Sequence, residues 1–558
     1  MFIKHNRSRQ GGKTYTSVLL VEGVREPAPR TAGRPPKGAK LKTRVRHRTL
    51  ANLSRLPEAL VKLIAQYCRG VELTENTSTV SQGPIYGLLA GLHALASELG
   101  LVAALGSSRE AKLVLFMIYA RLAHQGSRLG AVRWAEEHAV EAVLGLTHFD
   151  EDDLYAALDW LAGQHHRVEE KLAPKIEPGA VFFYDVTSSY FEGQHNEWAA
   201  HGYSRDGKRY KKQVVVGMLT DPQGDPLAIE LYQGNTADPK TFGPTVEALK
   251  VRFGAREVVL VGDRGMIKKM GRQTLGEAGF HYVTALTDPQ VRKLLTQKVL
   301  QPELFDEQPV AVEQAGRQLV LRCNPATRQR ERQRPQDQWR VVQERLAAGN
   351  QYLADHSRAK VETLLKKAQG WLARYKFQTW ITFQVQGRKV PWTQNATALA
   401  ELELLDGCYV LETDLPAVAA NATTIHDRYM GLIEVERDFR TMKTGLLEIR
   451  PIFLRKAERT TGHAVVTMLA LKLARALEQR VAPLGLKVED AVGRLGAVCL
   501  VALGKPDIGL WRLPDYFQPA QQEILDVLPP LPAPRVSLKN IIRRRLSNPR
   551  RGRDSARK

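Results

Sequence analysis

Apolar residues recur at helical spacing between about Pro57 and Ala173, in "EALVKLIAQY", "AKLVLFMIYARLA" and "DLYAALDWLAG", and predict a helical segment there. Past Pro174 the pattern changes to strands: "AVFFYDVTSSYF", "KQVVVGMLT" and "PLAIELYQG" follow one another. An amphipathic helix, "TFGPTVEALKVRF", comes next, then a buried strand, "EVVLVGD", a second helix near "IKKMGRQTLGEAG" and a fifth strand, "HYVTALT".

Three meandering strands followed by alternating helix and strand give the β-β-β-α-β-α-β order of an RNase H-like core, an α/β fold on a mixed five-stranded sheet. Residues 287–420 interrupt that core with polar, Arg-rich helices and strands such as "FQTWITFQVQ" and "GCYVLETDL", and predict a mostly β insertion with a helical hairpin. A long helix then begins around His426. The expected organisation is a basic arm with one short strand, "TYTSVLLVEGV", and a linker (1–56), and a helical domain (57–173) that is either structural or a reader of DNA ends. The two parts of the core (174–286 and 421–480) flank the insertion, and a C-terminal region with a basic tail (481–558) closes the chain.

Charge sharpens the picture because of where it lies. The formal net charge is +22, and residues 1–50 carry 13 Lys/Arg against Glu22 and Glu26, a net +11. The last 24 residues carry 10 Lys/Arg against Asp554, a net +9, so the middle of the protein is nearly neutral. Two basic arms of this kind attract polyanions by counterion release, which makes nucleic acid the natural partner. Neither arm has an amphipathic apolar face, and "IYGLLAGLHALASELGLVAAL" is broken by His93, Ser97 and Glu98, so no membrane span is expected. The four cysteines form no C-x-x-C pair and no signal peptide opens the sequence, which suits a reducing cytoplasm and excludes a disulfide framework or structural zinc.

Candidate chemistry comes from acids placed behind apolar runs. Asp185 follows Val181–Tyr184, and Asp263 follows Val258–Gly262. The first and fourth strands of an RNase H-like sheet are neighbours, so the two carboxylates are expected to converge; either each caps the turn or helix after its strand, or a cation holds the pair together. Oxygen ligands without His or Cys suit Mg²⁺ or Mn²⁺. A two-metal site for phosphoryl transfer needs a third acid, from a helix beyond the fifth strand. In "HDRYMGLIEVERDFRTMKTGL" Tyr429, Glu436 and Lys443 are spaced by seven and share a stripe beside Leu432, Phe439 and Met442. Spacing alone leaves Glu436 either an inward ligand or a surface partner of Arg437 or Arg440. Glu434 sits about 200° around the helix from it.

These motifs resemble a bacterial insertion-sequence transposase of the DDE class, from the group with the signature Y-x2-R-x3-E-x6-K. "YDVTSSYFEG" and "DRGM" look like its first two motifs, and "YMGLIEVERDFRTMK" matches at Tyr429, Glu436 and Lys443. It departs at Leu432, where the signature has arginine. The resemblance covers roughly residues 174–475. It implies that Asp185, Asp263 and Glu436 hold two Mg²⁺ ions, with Mn²⁺ able to substitute, and that Tyr429 and Lys443 position double-stranded DNA at the element end. Arg264 is implied as a further phosphate contact. The family implies a homodimer in the synaptic complex and a bacterial, nucleoid-associated protein.

Lys208, Lys211 and Lys212, with Arg209, lie between the first two strands and are either a DNA contact or a solvated hairpin. "GNTAD", with Asn235 and Thr236, reads as a turn after the third strand. His165–His166 has no Cys or acid at ligand spacing and is not expected to hold metal. Two rival functions remain at this point: an RNase H-fold nuclease that cuts without joining, and a non-catalytic DNA-binding descendant of a transposase.

Overall fold

The computed structural model describes residues 1–10, 13–27, 43–69, 80–264, 266–443, 445–503 and 511–534. The linker "PAPRTAGRPPKGAK" after Pro27 and the basic tail from Arg535 lie outside them. The described residues divide into two compact units: those within 1–82 and 501–511 form one, and those within 83–500 and 512–534 form the other.

In the first unit β1 (Phe2–Gln10), β2 (Lys13–Pro27) and β3 (Thr43–Asn52) make an antiparallel sheet in that order, followed by α1 (Glu58–Cys68). Val21, Leu53, Val61 and Trp511 are buried among the described residues of this unit. Only the middle strand was expected. The flanking strands, "FIKHNRSRQ" and "TRVRHRTLAN", are mostly polar, so a hydrophobic pattern does not mark them.

The second unit holds everything that positions the candidate site. After β4 (Val80–Ile85) come α2 (Gly87–Glu98), α3 (Leu101–Leu105), α4 (Arg109–Ala123), α5 (Arg128–Ala135), α6 (Val140–Leu144) and α7 (Glu151–Leu172). Asp150 caps α7 by accepting from the Asp152 and Asp153 amides. These helices share one hydrophobic core with the sheet that follows: Phe116, Leu158 and Leu161 belong to the same buried cluster as Phe183, Val216 and Val261.

The sheet is built from β5 (Val181–Tyr190), β6 (Gln213–Thr220) and β7 (Pro226–Gln233), then α8 (Asp238–Glu247), β8 (Val259–Gly262), α9 (Lys269–Ala278) and β9 (His281–Ala285). β5, β6 and β7 pair antiparallel, while β5, β8 and β9 pair parallel, which gives the order β7-β6-β5-β8-β9. This is the RNase H-like arrangement expected from the sequence. Alternation on β5 assigns its faces: Phe182, Tyr184 and Val186 pack in the cluster that includes Phe242 of α8 and Leu275 of α9, and Phe183 packs in the opposite one.

The insertion differs from expectation, because it is more helix than strand. After α10 (Asp288–Thr296), β10 (Val310–Gln314) and β11 (Arg317–Cys323) lead into α11 (Pro325–Asp355) and α12 (Val361–Tyr375). β12 (Ile381–Phe383), β13 (Trp392–Gln394), α13 (Ala396–Glu403) and β14 (Cys408–Thr413) complete it. β14 pairs with β9, and β11 and β10 follow, so three of its strands extend the core sheet to eight. The apolar stripe of α11 is narrow, with Trp339, Val342, Leu346 and Leu353 buried along a helix of 31 residues. "FQTWITFQVQ" yields only three strand residues because Phe377, Trp380 and Ile381 pack around Trp339.

The helix expected from His426 starts earlier and is interrupted: α14 (Ala422–Met430) and α15 (Leu432–Lys443) meet at Gly431. A Cβ on Gly431 would lie 2.3 Å from Cζ of Phe183, so glycine is what lets this junction press onto β5. α16 (Ala457–Val481) then packs against α7, α4 and β7.

Candidate active site

Strand register brings the first two acids together. Phe183 pairs with Val261 and Tyr184 with Gly262, so Asp185 and Asp263 are the next residues along two adjacent parallel strands. Phe183 and Val261 face the cluster that contains Val435 and Phe439 of α15, and by alternation so do both acids. α15 packs on β5 and carries Glu436 to the same place. Asp185, Asp263 and Glu436 thus line one open cleft of about 540 Å³, with Arg205, Asp206, Asp238, Arg264, Arg440, Lys443 and Arg450 around them.

The acids of the cleft act on one another's charge. Burial, with the nearby Asp263 and Glu436 charges, pushes the Asp185 carboxyl up to about 7, against the opposing hydrogen bond its Oδ1 accepts from the Val186 amide at 2.7 Å. Asp263 Oδ1 accepts from the Arg264 amide and from the Tyr429 hydroxyl, the latter at 3.3 Å. Burial and the Asp263 charge raise the Tyr429 hydroxyl, keeping it a donor. Three carboxylates with no His or Cys among the lining residues fit a hard divalent cation such as Mg²⁺ or Mn²⁺.

The sequence candidates fare differently. Tyr429 lies on α14 yet reaches Asp263 across the Gly431 junction. Lys443 is held by Asp206 at 3.0 Å, and burial lowers its ammonium below the usual lysine range. Arg264 lines the cleft and pairs with Asp288 at 2.9 Å. Lys208, Lys211 and Lys212 do not line it: Lys208 sits over the Tyr190 ring and Lys211 pairs with Glu192 at 2.7 Å. Glu434, the competitor of Glu436, turns to Arg437 and Arg475 instead. Leu432, where the signature has arginine, is buried in the core and touches no cleft.

Sequence reasoning missed Asp206, Arg205, Asp238 and Arg450 because they come from loops and helix ends without periodicity. "GNTAD" was the available signal: its last residue, Asp238, lines the cleft and pairs with Arg205 at 2.5 Å. The reading of His165–His166 also needs correction, since the fold supplies an acid that linear spacing hides. Glu230 of β7 meets His166 at 3.2 Å, and ligand atoms of all three residues lie within 4.8 Å. Arg252 already serves Glu230 at 3.1 Å and the buried Glu169 at 3.0 Å, so a cation is in place there.

A sheet of this order, with three acids converging on one cleft, is the arrangement expected of an RNase H-like core. The family model of the transposase DDE domain matches residues 177–473, and the chain belongs to that family. It is accordingly a transposase, an enzyme of DNA phosphoryl transfer. No curated protein matches the chain. Among solved structures, the cryo-EM synaptic complex of the piggyBac transposase with hairpin DNA is similar at 9% identity and a TM-score of 0.37, over 84% of this chain and 80% of that one. No helix among the described residues is long and apolar enough to cross a membrane.

Proposed function

We propose that the protein moves an insertion sequence. It binds the terminal inverted repeats of the element in double-stranded DNA, hydrolyses the phosphodiester at each end to expose a 3′-hydroxyl, and joins that hydroxyl to target DNA. The convergence of Asp185, Asp263 and Glu436 on one cation-ringed cleft is the observation that carries this reading.

Asp185, Asp263 and Glu436 would hold two Mg²⁺ ions, with Mn²⁺ able to replace them, and the ions when bound supply Lewis-acid help to the attacking and leaving oxygens. The chain's own contribution is positioning. Tyr429 fixes the Asp263 carboxylate through its hydroxyl. Arg205, Arg264, Lys443 and Arg450 surround the acids with positive charge that suits a phosphodiester and its developing negative charge. The β5–α15 packing at Gly431 keeps Glu436 in register with the two strand acids. Two ends must be held for joining, which favours a homodimer as the working species, and the basic arms supply non-specific affinity for duplex DNA.

The test is cleavage of a duplex carrying the DNA that flanks the gene, with Mg²⁺ or Mn²⁺, for the wild type and Glu436→Gln. The expected products are 3′-hydroxyls at the repeat ends from the wild type and none from the variant, which still binds. Cutting without joining to a second duplex favours a nuclease, and binding without cutting favours a DNA-binding relic.

A further inference from the structure

The loop between β5 and β6 returns to the cleft at Asp206, a carboxylate that no motif marks. Its side chain is 2% exposed, so its charge must be met inside the protein. Oδ1 accepts from Lys443 Nζ at 3.0 Å and from the Arg450 guanidinium, while Oδ2 accepts from the Tyr190 amide at 3.2 Å. The neighbouring Arg205 amide donates to Ser188 Oγ, which pins the same loop to β5 a second time. Asp206 therefore ties the strand that carries Asp185 to the end of α15, seven residues beyond Glu436.

The cleft lining as a whole carries five acids and five cations, but they are not evenly spread. Around Asp206 one buried carboxylate faces two cations, a local surplus of +1, while Arg205 is met separately by Asp238. A phosphodiester carries one negative charge and would pair with that local surplus. Both oxygens of Asp206 accept hydrogen bonds, which fixes the carboxylate between the loop and the two cations.

We propose that Asp206 is a positioning residue for the DNA phosphate: it presets Lys443 and Arg450 as a paired cationic seat for the backbone next to the scissile bond. This rests on the transposase reading above. Held at fixed distance by a buried acid, the two side chains meet the phosphate without first losing rotamer freedom. Lys443 alone, on four flexible bonds, lacks that preorganisation.

The experiment uses the full chain and a duplex carrying the DNA that flanks the gene. Asp206→Asn keeps the size of the side chain and removes its charge. Because it frees two cations, duplex binding should hold or tighten, while metal-dependent cutting should fall by about 100-fold. The same substitution in a Lys443→Ala/Arg450→Ala background should lower the residual cutting by no more than about twofold, since the seat is already gone. Cutting by Asp206→Asn that equals or exceeds the wild type overturns the proposal, as does a full loss in the background lacking both cations.

If the single variant melts early, Asp206→Asn/Lys443→Met/Arg450→Leu removes all three charges and leaves none unpaired. It should fold and bind duplex, yet cut no faster than Lys443→Ala; cutting at the wild-type rate overturns the proposal. A wild type that fails to cut the duplex contradicts the transposase reading instead.

Discussion

Asp185 is the residue whose environment most needs explaining, and its protonation carries a testable sign. Burial and two neighbouring acids raise its carboxyl from 3.8 to about 7 in the metal-free protein. A raised acid binds its proton more tightly folded than unfolded, so the metal-free protein loses stability as pH rises from about 4 to about 7, by up to roughly 4 kcal/mol. A cation bound by the proposed site would replace that proton and remove the penalty. Thermal melts should therefore show a larger gain from Mg²⁺ at about pH 8 than at about pH 6. The difference should vanish in Asp185→Asn, and an equal gain at both pH values contradicts the assignment. Asp185 and Asp263 were legible because each stands alone behind an apolar run. Asp206 and Arg450 were not, because a buried ion pair between a loop and a segment 244 residues later leaves no local pattern.

At the scale of elements, the strand order was readable because each core strand is a dense apolar run bounded by a change of period. The insertion was not, since its long helix buries few side chains and three of its strands join a sheet whose other members lie far away in sequence. The α14–α15 junction explains why a continuous spacing of seven still places Tyr429 and Glu436 usefully: Gly431 interrupts the helix where it meets Phe183. Gly431→Ala should cost about 1–3 kcal/mol through overpacking. It should also reduce cutting beyond what that loss explains, because α15 moves away from β5. Urea melts and cleavage assays check this, with Phe183→Leu expected to restore part of both. A Gly431→Ala protein that cuts like the wild type means that the contact does not set the site.

Across the whole molecule, charge is unevenly divided. The acids sit in a nearly neutral body, while the arms hold 20 of the 22 net positive charges. Removing residues 535–558 should leave the melting temperature of the body unchanged. The salt dependence of duplex binding should become shallower by roughly 0.9 in log–log slope for each phosphate the tail neutralised. An unchanged slope would remove the tail from the DNA interface. These arms were visible from composition alone, whereas the charge of Lys443 and Arg450 beside the acids emerges only when the fold collects it in one cleft.

Asp185, Asp263 and Glu436 are proposed to form one metal-dependent site for cutting and joining DNA. The most direct measurement maps the ends left on a duplex carrying the gene's own flanks, with Mg²⁺, by the wild type and by Glu436→Gln. The account predicts 3′-hydroxyl ends at the terminal repeats, joined to a second duplex by the wild type, and binding without cutting by the variant. Cutting that survives in Glu436→Gln would contradict it.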